Sequence, residues 1–189
     1  ATASGVFDKE IAGQRLYGEV TLEVVPLPRG TGNRFISDIT TEELPHVYIE
    51  AAQKGAMESL ESGSLMGYPV VDVEIRLVAV NHKESLSTEL AYTVSASMAC
   101  REALSKSVPF LLEPIMDTEV FVPEAFTGEV IGDLNARGGK IEAIDHRQGS
   151  QVITVTVPLS RMFGYSTSLR SATQGRGTFT MQFARFDRG

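Results

Sequence analysis

Apolar and polar residues alternate through Leu16–Leu27 (LYGEVTLEVVPL), with Val20, Leu22 and Val24 on one side, and this period of two predicts a half-buried strand. Pro28–Asn33 (PRGTGN) is a turn cluster, and Arg34–Ile39 (RFISDI) predicts a second, short strand. Pro45 stands where a helix opens. Tyr48, Ala52, Ala56 and Leu60 recur every four residues and give that helix one apolar face, which Gly63 stops. Val70–Val80 (VVDVEIRLVAV) predicts a strong strand with Val71, Val73, Ile75 and Leu77 on one face. Asn81–Ser87 is a polar loop, and Ser87 or Thr88 caps a helix running to about Ser107. Small residues line that helix (Ala91, Ser95, Ala96, Ala99 and Ala103), so it can pack closely on a sheet.

A second set of elements begins after Phe110–Glu113. Ile115–Val122 predicts a strand, and Pro123 opens a helix with Phe126, Val130 and Leu134 on one face, stopped at Gly138–Gly139. Lys140–Asp145 and Gln151–Val157 are strands joined by the turn HRQGSQ. Pro158 starts a short helical stretch containing Leu159, Met162 and Phe163. Thr178–Phe186 closes the set as a strand with Phe179, Met181 and Phe183 on one face. The order β-α-β-β-α-β is the ferredoxin-like pattern, an antiparallel sheet with helices on one face. The fold class is therefore α+β with two domains, residues 1–112 and 113–189.

Composition narrows the function. Hydrophobic residues make up 42% of 189 positions, enough for a buried core. No apolar run approaches the roughly 20 residues that span a bilayer, so no membrane role is expected. Ala1–Ser4 reads as a trimmed or tag-derived end rather than a targeting segment. The single cysteine, Cys100, lies in an apolar stretch and reads as a buried thiol, in keeping with a reducing cytoplasm. The net charge of −7 argues against a generic nucleic-acid binder. The charge is uneven, however: residues 1–112 hold 9 basic and 15 acidic side chains, and residues 113–189 hold 8 and 9. Arg161, Arg170, Arg176, Arg185 and Arg188 face only Asp187 over residues 161–189, and such a local basic surface can hold phosphate.

Catalytic constellations are missing from the sequence. There is no G-x-x-x-x-G-K-[ST] phosphate loop and no G-x-S-x-G elbow. His46, His82 and His146 are isolated, without metal-ligand spacing. Asp72 and Glu74 lie two apart on a predicted strand and read as a solvated edge rather than an acid–base pair. QGRG at Gln174–Gly177 is either a phosphate cradle of backbone N–H groups with Arg176 or a turn before the last strand.

Three segments carry a resemblance. They are GYPVVDVEIRL (Gly67–Leu77), LLEPIM followed by GEVIGDLNARGGKI (Gly128–Ile141), and VPLSRMFGYSTSLRSATQGRGTF (Val157–Phe179). With a weaker match at PLPRGTG (Pro26–Gly32), they resemble, in order, the C-terminal part of the translational GTPase elongation factor G. The resemblance runs from about Val6 to Phe186. It implies a fourth domain that is ribosomal-protein-S5-domain-2-like, a β-α-β unit with a left-handed crossover, followed by a fifth, ferredoxin-like domain. It further implies a cytoplasmic, monomeric, ribosome-binding part of a factor that promotes tRNA–mRNA translocation. The partners it implies are 16S and 23S ribosomal RNA, stalk-base proteins and the tRNA–mRNA duplex, recognised mainly through shape and phosphate. GTP and Mg would belong to the full-length parent, a GTPase, and no cofactor to this fragment.

The departures fall at the fourth-domain tip. AGQRLYGEV (Ala12–Val20) keeps Tyr17, Gly18 and Val20 of the family's G-G-x-G-Q-Y-G-H-V but loses two glycines and the histidine. In AVNHKESLSTE (Ala79–Glu89) the family's tip histidine falls on Lys83, with His82 beside it. The helix entry is TEELPHVY (Thr41–Tyr48), and the family's R-R-G is Arg137-Gly138-Gly139. Carried over residue by residue, the resemblance puts Gln14, Arg15, His82 and Lys83 at a decoding-site tip. It puts Arg137, Lys140, Arg170 and Arg176 against large-subunit RNA. The altered tip leaves a divergent paralogue acting in ribosome recycling, or in tetracycline ribosomal protection, as alternatives. A stand-alone ferredoxin-like module for a small ligand is the reading from a different class.

Overall fold

The structure is a computed structural model that describes residues 1–83, 85–147 and 149–188. Glu84 and Gln148, inside two of the predicted loops, lie outside the described residues. The chain divides into two compact units, Ala1–Pro109 and Phe110–Gly189.

The first unit holds β1 (Thr2–Ile11), β2 (Gln14–Pro26), β3 (Arg34–Ser37), α1 (His46–Ser62), β4 (Val73–Asn81) and α2 (Glu89–Lys106). Its sheet has the order β1-β2-β4-β3. β1 and β2 form an antiparallel hairpin from Thr2↔Glu23 to Ile11↔Gln14, and β3 lies parallel to β4 across the α1 crossover. The chain is already ordered at Ala1–Ser4, which belongs to β1 and its edge. Thr2, Ala3 and Ser4 pair with Glu23, Leu22 and Thr21, and the Ala1 ammonium donates to Val24 O at 2.9 Å. The core is built from Val20, Leu22, Val24, Ile75 and Leu77 of the sheet and Ala52, Ala56, Leu60, Ala96, Ala99 and Ala103 of the helices. Small residues set its thickness. A Cβ at Gly5 would lie 2.0 Å from Ser95 O, and one at Gly55 2.0 Å from Thr93 O, so α2 rests directly on β1 and α1. Thr88 caps α2 by accepting from Ala91 N at 3.2 Å.

Two expectations for this unit change. Val71 is exposed and Val73 half-buried, because Asp72 takes a left-handed conformation (φ 60°) that ends the extended run before β4. Asp72 and Glu74 are also not a solvated edge. Asp72 is buried and accepts from Gly32 N at 2.9 Å, while buried Glu74 lies between Arg34 (2.7 Å) and Arg76 (2.8 Å).

The second unit holds β5 (Glu113–Pro123), a 3₁₀ turn (Glu124–Phe126), α3 (Thr127–Ala136), β6 (Lys140–Arg147), β7 (Ser150–Pro158), a 3₁₀ turn (Leu159–Arg161), α4 (Tyr165–Ala172) and β8 (Thr178–Asp187). The sheet order β6-β7-β5-β8 is antiparallel throughout, the ferredoxin-like arrangement expected from the pattern. Val120, Val122, Ile153, Val155 and Val157 meet Val130 and Leu134 of α3 and Tyr165 and Leu169 of α4. The second helix lies later than expected. Pro158 opens only a 3₁₀ turn, Phe163 is exposed, and α4 starts after Gly164 in a left-handed conformation (φ 75°). On β8, Phe179 is half-buried because it packs on the core and on Tyr165, but Met181 and Phe183, expected on the same face, are exposed.

Candidate nucleic-acid interface

The β1–β2 hairpin, which turns at Ala12 (φ 53°) and Gly13 (φ 81°), meets the β4–α2 loop at Tyr17. Tyr17 N donates to Leu86 O at 2.8 Å, and Tyr17 bridges Ser87, which fastens the loop to β2. Within the loop, Leu86 N and Ser87 N both donate to Lys83 O at 2.9 Å, and Lys83 N donates to Ser87 Oγ at 3.1 Å.

Aromatic rings lie below this loop. Tyr48 and Tyr92 stack with centroids 5.0 Å apart, and the His82 ring lies 5.5 Å from Tyr48. His82 Nδ1 is 3.1 Å from Tyr92 Oη, and Tyr48 Oη donates to Ser87 O at 3.3 Å. His82 is therefore half-buried in the loop's foundation, whereas Lys83 is exposed. Lys83 Nζ lies 3.7 Å from the centroid of the Tyr17 ring. Tyr17 Oη donates to Glu19 at 2.5 Å, and Asn81 Nδ2 reaches both Tyr17 Oη and Glu19, each at 3.0 Å. The Glu19 carboxylate and burial push the Tyr17 phenol up to about 12, so it keeps its proton.

The other two expected tip residues behave differently. Gln14 is exposed beside the turn. Arg15 forms a two-pronged pair with Asp8 through Nε and Nη2 (2.8 and 2.6 Å), which holds the Asp8 carboxyl below its usual range and neutralises much of the Arg15 charge. The structure thus brings Lys83, His82 and the base of the hairpin together, with Arg15 already paired. Sequence reasoning missed the contributions of Tyr48, Tyr92, Glu19 and Asn81. Aromatic residues at helix starts carry no pattern that separates a loop foundation from ordinary core.

In the second unit the arginines divide by role. Arg137, with a side chain 17% exposed, donates to Asp133 (2.9 Å), Arg161 O (2.7 Å) and Ser168 Oγ (2.9 Å). Its guanidinium also lies 5.1 Å from the Tyr165 ring centroid. It ties the end of α3 to the start of α4. Lys140 is exposed and lies 3.3 Å from Glu142. Arg170 and Arg176 are exposed, and among the described residues no carboxylate lies within ion-pair distance of either.

The QGRG tetrapeptide is a helix stop rather than a cradle. Gln174 (φ 53°) and Gly175 (φ 80°) reverse the chain. The N–H groups of Gly175, Arg176 and Gly177 are taken by Arg170 O (2.8 Å), Thr173 O (3.0 Å) and Thr173 Oγ1 (2.7 Å). What remains for an anion is the Arg176 side chain, held close after the Arg170 helix.

Two surface grooves of about 460 and 340 Å³ occur among the described residues. The first is lined by Ile39, Glu43, Val80 and His82, the second by Asp117, Glu119, Thr154 and Gln182. Neither has the enclosed apolar lining of a small-molecule site. Among the described residues no helix is long and apolar enough to cross a membrane.

Comparison with known proteins agrees with this division. The family model for elongation factor G, domain IV, matches residues 1–108, and that for the elongation factor G C-terminus matches residues 110–188. Elongation factor G of Aquifex pyrophilus is 46% identical over 187 residues, 99% of this chain and 27% of that protein. Elongation factor G 2 of Desulfotalea psychrophila is 45% identical over 186 residues, 98% of this chain and 27% of that protein. A crystal structure of a protein from Thermus thermophilus superposes with a TM-score of 0.79 at 31% identity, covering 98% of this chain and 28% of that one. The chain thus spans about a quarter of the length of the relatives it matches, and it belongs to the elongation factor G family, in which it corresponds to domain IV followed by the C-terminal domain.

Proposed function

We propose that this chain is the ribosome-binding part of an elongation factor G-like translational GTPase that promotes tRNA–mRNA translocation in the cytoplasm. The observation that carries this is the pair of exposed cations Arg170 and Arg176 at the end of α4, neither of which has a carboxylate within ion-pair distance among the described residues, on a chain of net charge −7. In this reading Arg170 and Arg176 meet 23S ribosomal RNA near the stalk base. The Lys83 loop meets the tRNA–mRNA duplex or 16S RNA at the decoding site. Arg137 supports the first contact through α4, and Lys140 is a further RNA contact.

The chain performs no chemistry of its own in this scheme. It contains no G-x-x-x-x-G-K-[ST] sequence, so GTP and Mg belong to the remainder of the longer protein. Its contribution is steric and electrostatic, a shaped body held against RNA by a small number of cations. The tip substitutions favour a second reading, a paralogue working in recycling, which shares the same docking surfaces.

Co-sedimentation of the chain with purified ribosomes at low and moderate salt tests the proposal. Binding that falls with salt, and falls further in Arg170→Ala/Arg176→Ala, is expected. Binding unaffected by those substitutions overturns the assignment of the large-subunit contact.

A further inference from the structure

We infer that Tyr17 is the positioning residue for Lys83, fixing one ammonium group at the tip where it can meet the phosphate backbone of a nucleic acid. The inference rests on the ribosome-binding reading and deepens its tip contact. Three observations place Tyr17 in this role. Its ring lies under the Lys83 ammonium at 3.7 Å. Its backbone holds the loop that carries Lys83, through Leu86 O and the bridge to Ser87. Its hydroxyl is held by Glu19 and Asn81, from two neighbouring strands, so the ring plane is set by the sheet rather than by the loop.

The arrangement differs from an ion pair in what it leaves available. Arg15 lies at the same end, but both prongs of its guanidinium are committed to Asp8. No carboxylate among the described residues is in direct ion-pair contact with Lys83, although the Asp8 and Glu19 carboxyls both feel its charge. A ring face localises a cation without neutralising it. Lysine is otherwise a flexible four-carbon stem that loses much rotational freedom when it binds. Resting on Tyr17, Lys83 is already confined, and less ordering remains when phosphate arrives.

The test measures affinity for purified ribosomes and its salt slope in the full chain and in Lys83→Ala, Tyr17→Phe, Tyr17→Leu and the double variant Tyr17→Leu/Lys83→Ala. Lys83→Ala should weaken binding and make the salt slope shallower by about 1. Tyr17→Phe keeps the ring but loses the Glu19 and Asn81 bonds that set its plane, and should bind between the parent and Tyr17→Leu. Tyr17→Leu should weaken binding by about two- to five-fold, the range expected of one exposed cation–π contact. In the Lys83→Ala background it should weaken nothing further. Equal weakening by Tyr17→Leu in both backgrounds overturns the inference, because Tyr17 would then act through the fold and not through Lys83. Wild-type affinity and slope in Lys83→Ala would remove the tip contact of the proposed function itself. A ring-current shift of the Lys83 ε-methylene protons in the unsubstituted chain checks the stacking even if Tyr17→Leu does not fold. Its absence overturns the inference directly.

Discussion

Arg137 and Tyr165 are stacked, guanidinium over phenol, with the guanidinium carbon 5.1 Å from the ring centroid. Three guanidinium nitrogens meanwhile bond to α3, to the turn before α4 and to α4 itself. A lysine cannot reproduce this planar fork. Arg137→Ala should lower the stability of the C-terminal unit by about 1–3 kcal/mol, and Arg137→Lys should recover little of it. Thermal or urea unfolding reads the difference. A loss of ribosome binding in Arg137→Ala without loss of stability would instead make Arg137 a direct contact.

The Tyr165 hydroxyl is buried, in a residue only 1% exposed, without a hydrogen-bond partner among the described residues. Burial, with the nearby Asp133 carboxylate, raises its pKa well above that of a free phenol. Tyr165→Phe removes a polar atom that gains nothing from its surroundings and keeps the edge-on contact with Phe179 at 5.0 Å. The substitution should change stability by less than about 0.5 kcal/mol or raise it, where a typical buried, bonded hydroxyl would cost about 1. Equilibrium unfolding of the single variant decides.

Glycine to alanine should have opposite signs on two helices. At Gly55 the added methyl would meet Thr93 O at 2.0 Å, and overpacking there should cost about 1–3 kcal/mol or more. At Gly132 on α3 nothing lies within 4 Å of the added carbon, and alanine should stabilise by about 0.5–1 kcal/mol through helix propensity. Comparing the two midpoints with the parent chain's checks both.

Acid sensitivity should run partly through Asp72. The Gly32 N–H, with further help from Gly30 and Arg29, holds its carboxyl below the ordinary aspartate value. A depressed folded pKa contributes stability above the unfolded value, about 3.9, and that contribution is lost as pH falls through the folded pKa. Asp72→Asn tolerates the left-handed backbone while removing the charge. It should be less stable than the parent at neutral pH, and the gap between the two should narrow as pH falls below the unfolded value. A constant gap across that range would mean that the carboxylate is not what the loop requires.

The readable parts of this fold were those where burial and hydropathy coincide. β2 and β7 alternate because one face of each is core and the other is not, and α1 carries its four-residue period for the same reason. β1 was not legible, because the residues it sets toward α2 are Ala3, Gly5 and Phe7, and the first two carry almost no hydropathic signal. α4 escaped because it has eight residues, many of them serine or threonine, with Tyr165 and Leu169 as its buried anchors. The site was legible only as a set of cations. Arg15 and Arg137 looked the same as Arg170 in the sequence. Asp133, four residues before Arg137, is the one partner that helical spacing suggests; Asp8 is 7 residues from Arg15 and Ser168 is 31 from Arg137, and no local pattern announces those two.

The β1–β2 hairpin is pinned to α2 at two glycines, Gly5 against Ser95 and Gly18 against Ala91, with backbone meeting backbone rather than side chain meeting side chain. Such a seam has no soft layer to compress. A push on the Ala12–Gly13 turn would therefore travel the length of the sheet as displacement instead of being spent on repacking, and the unit would behave mechanically as a strut.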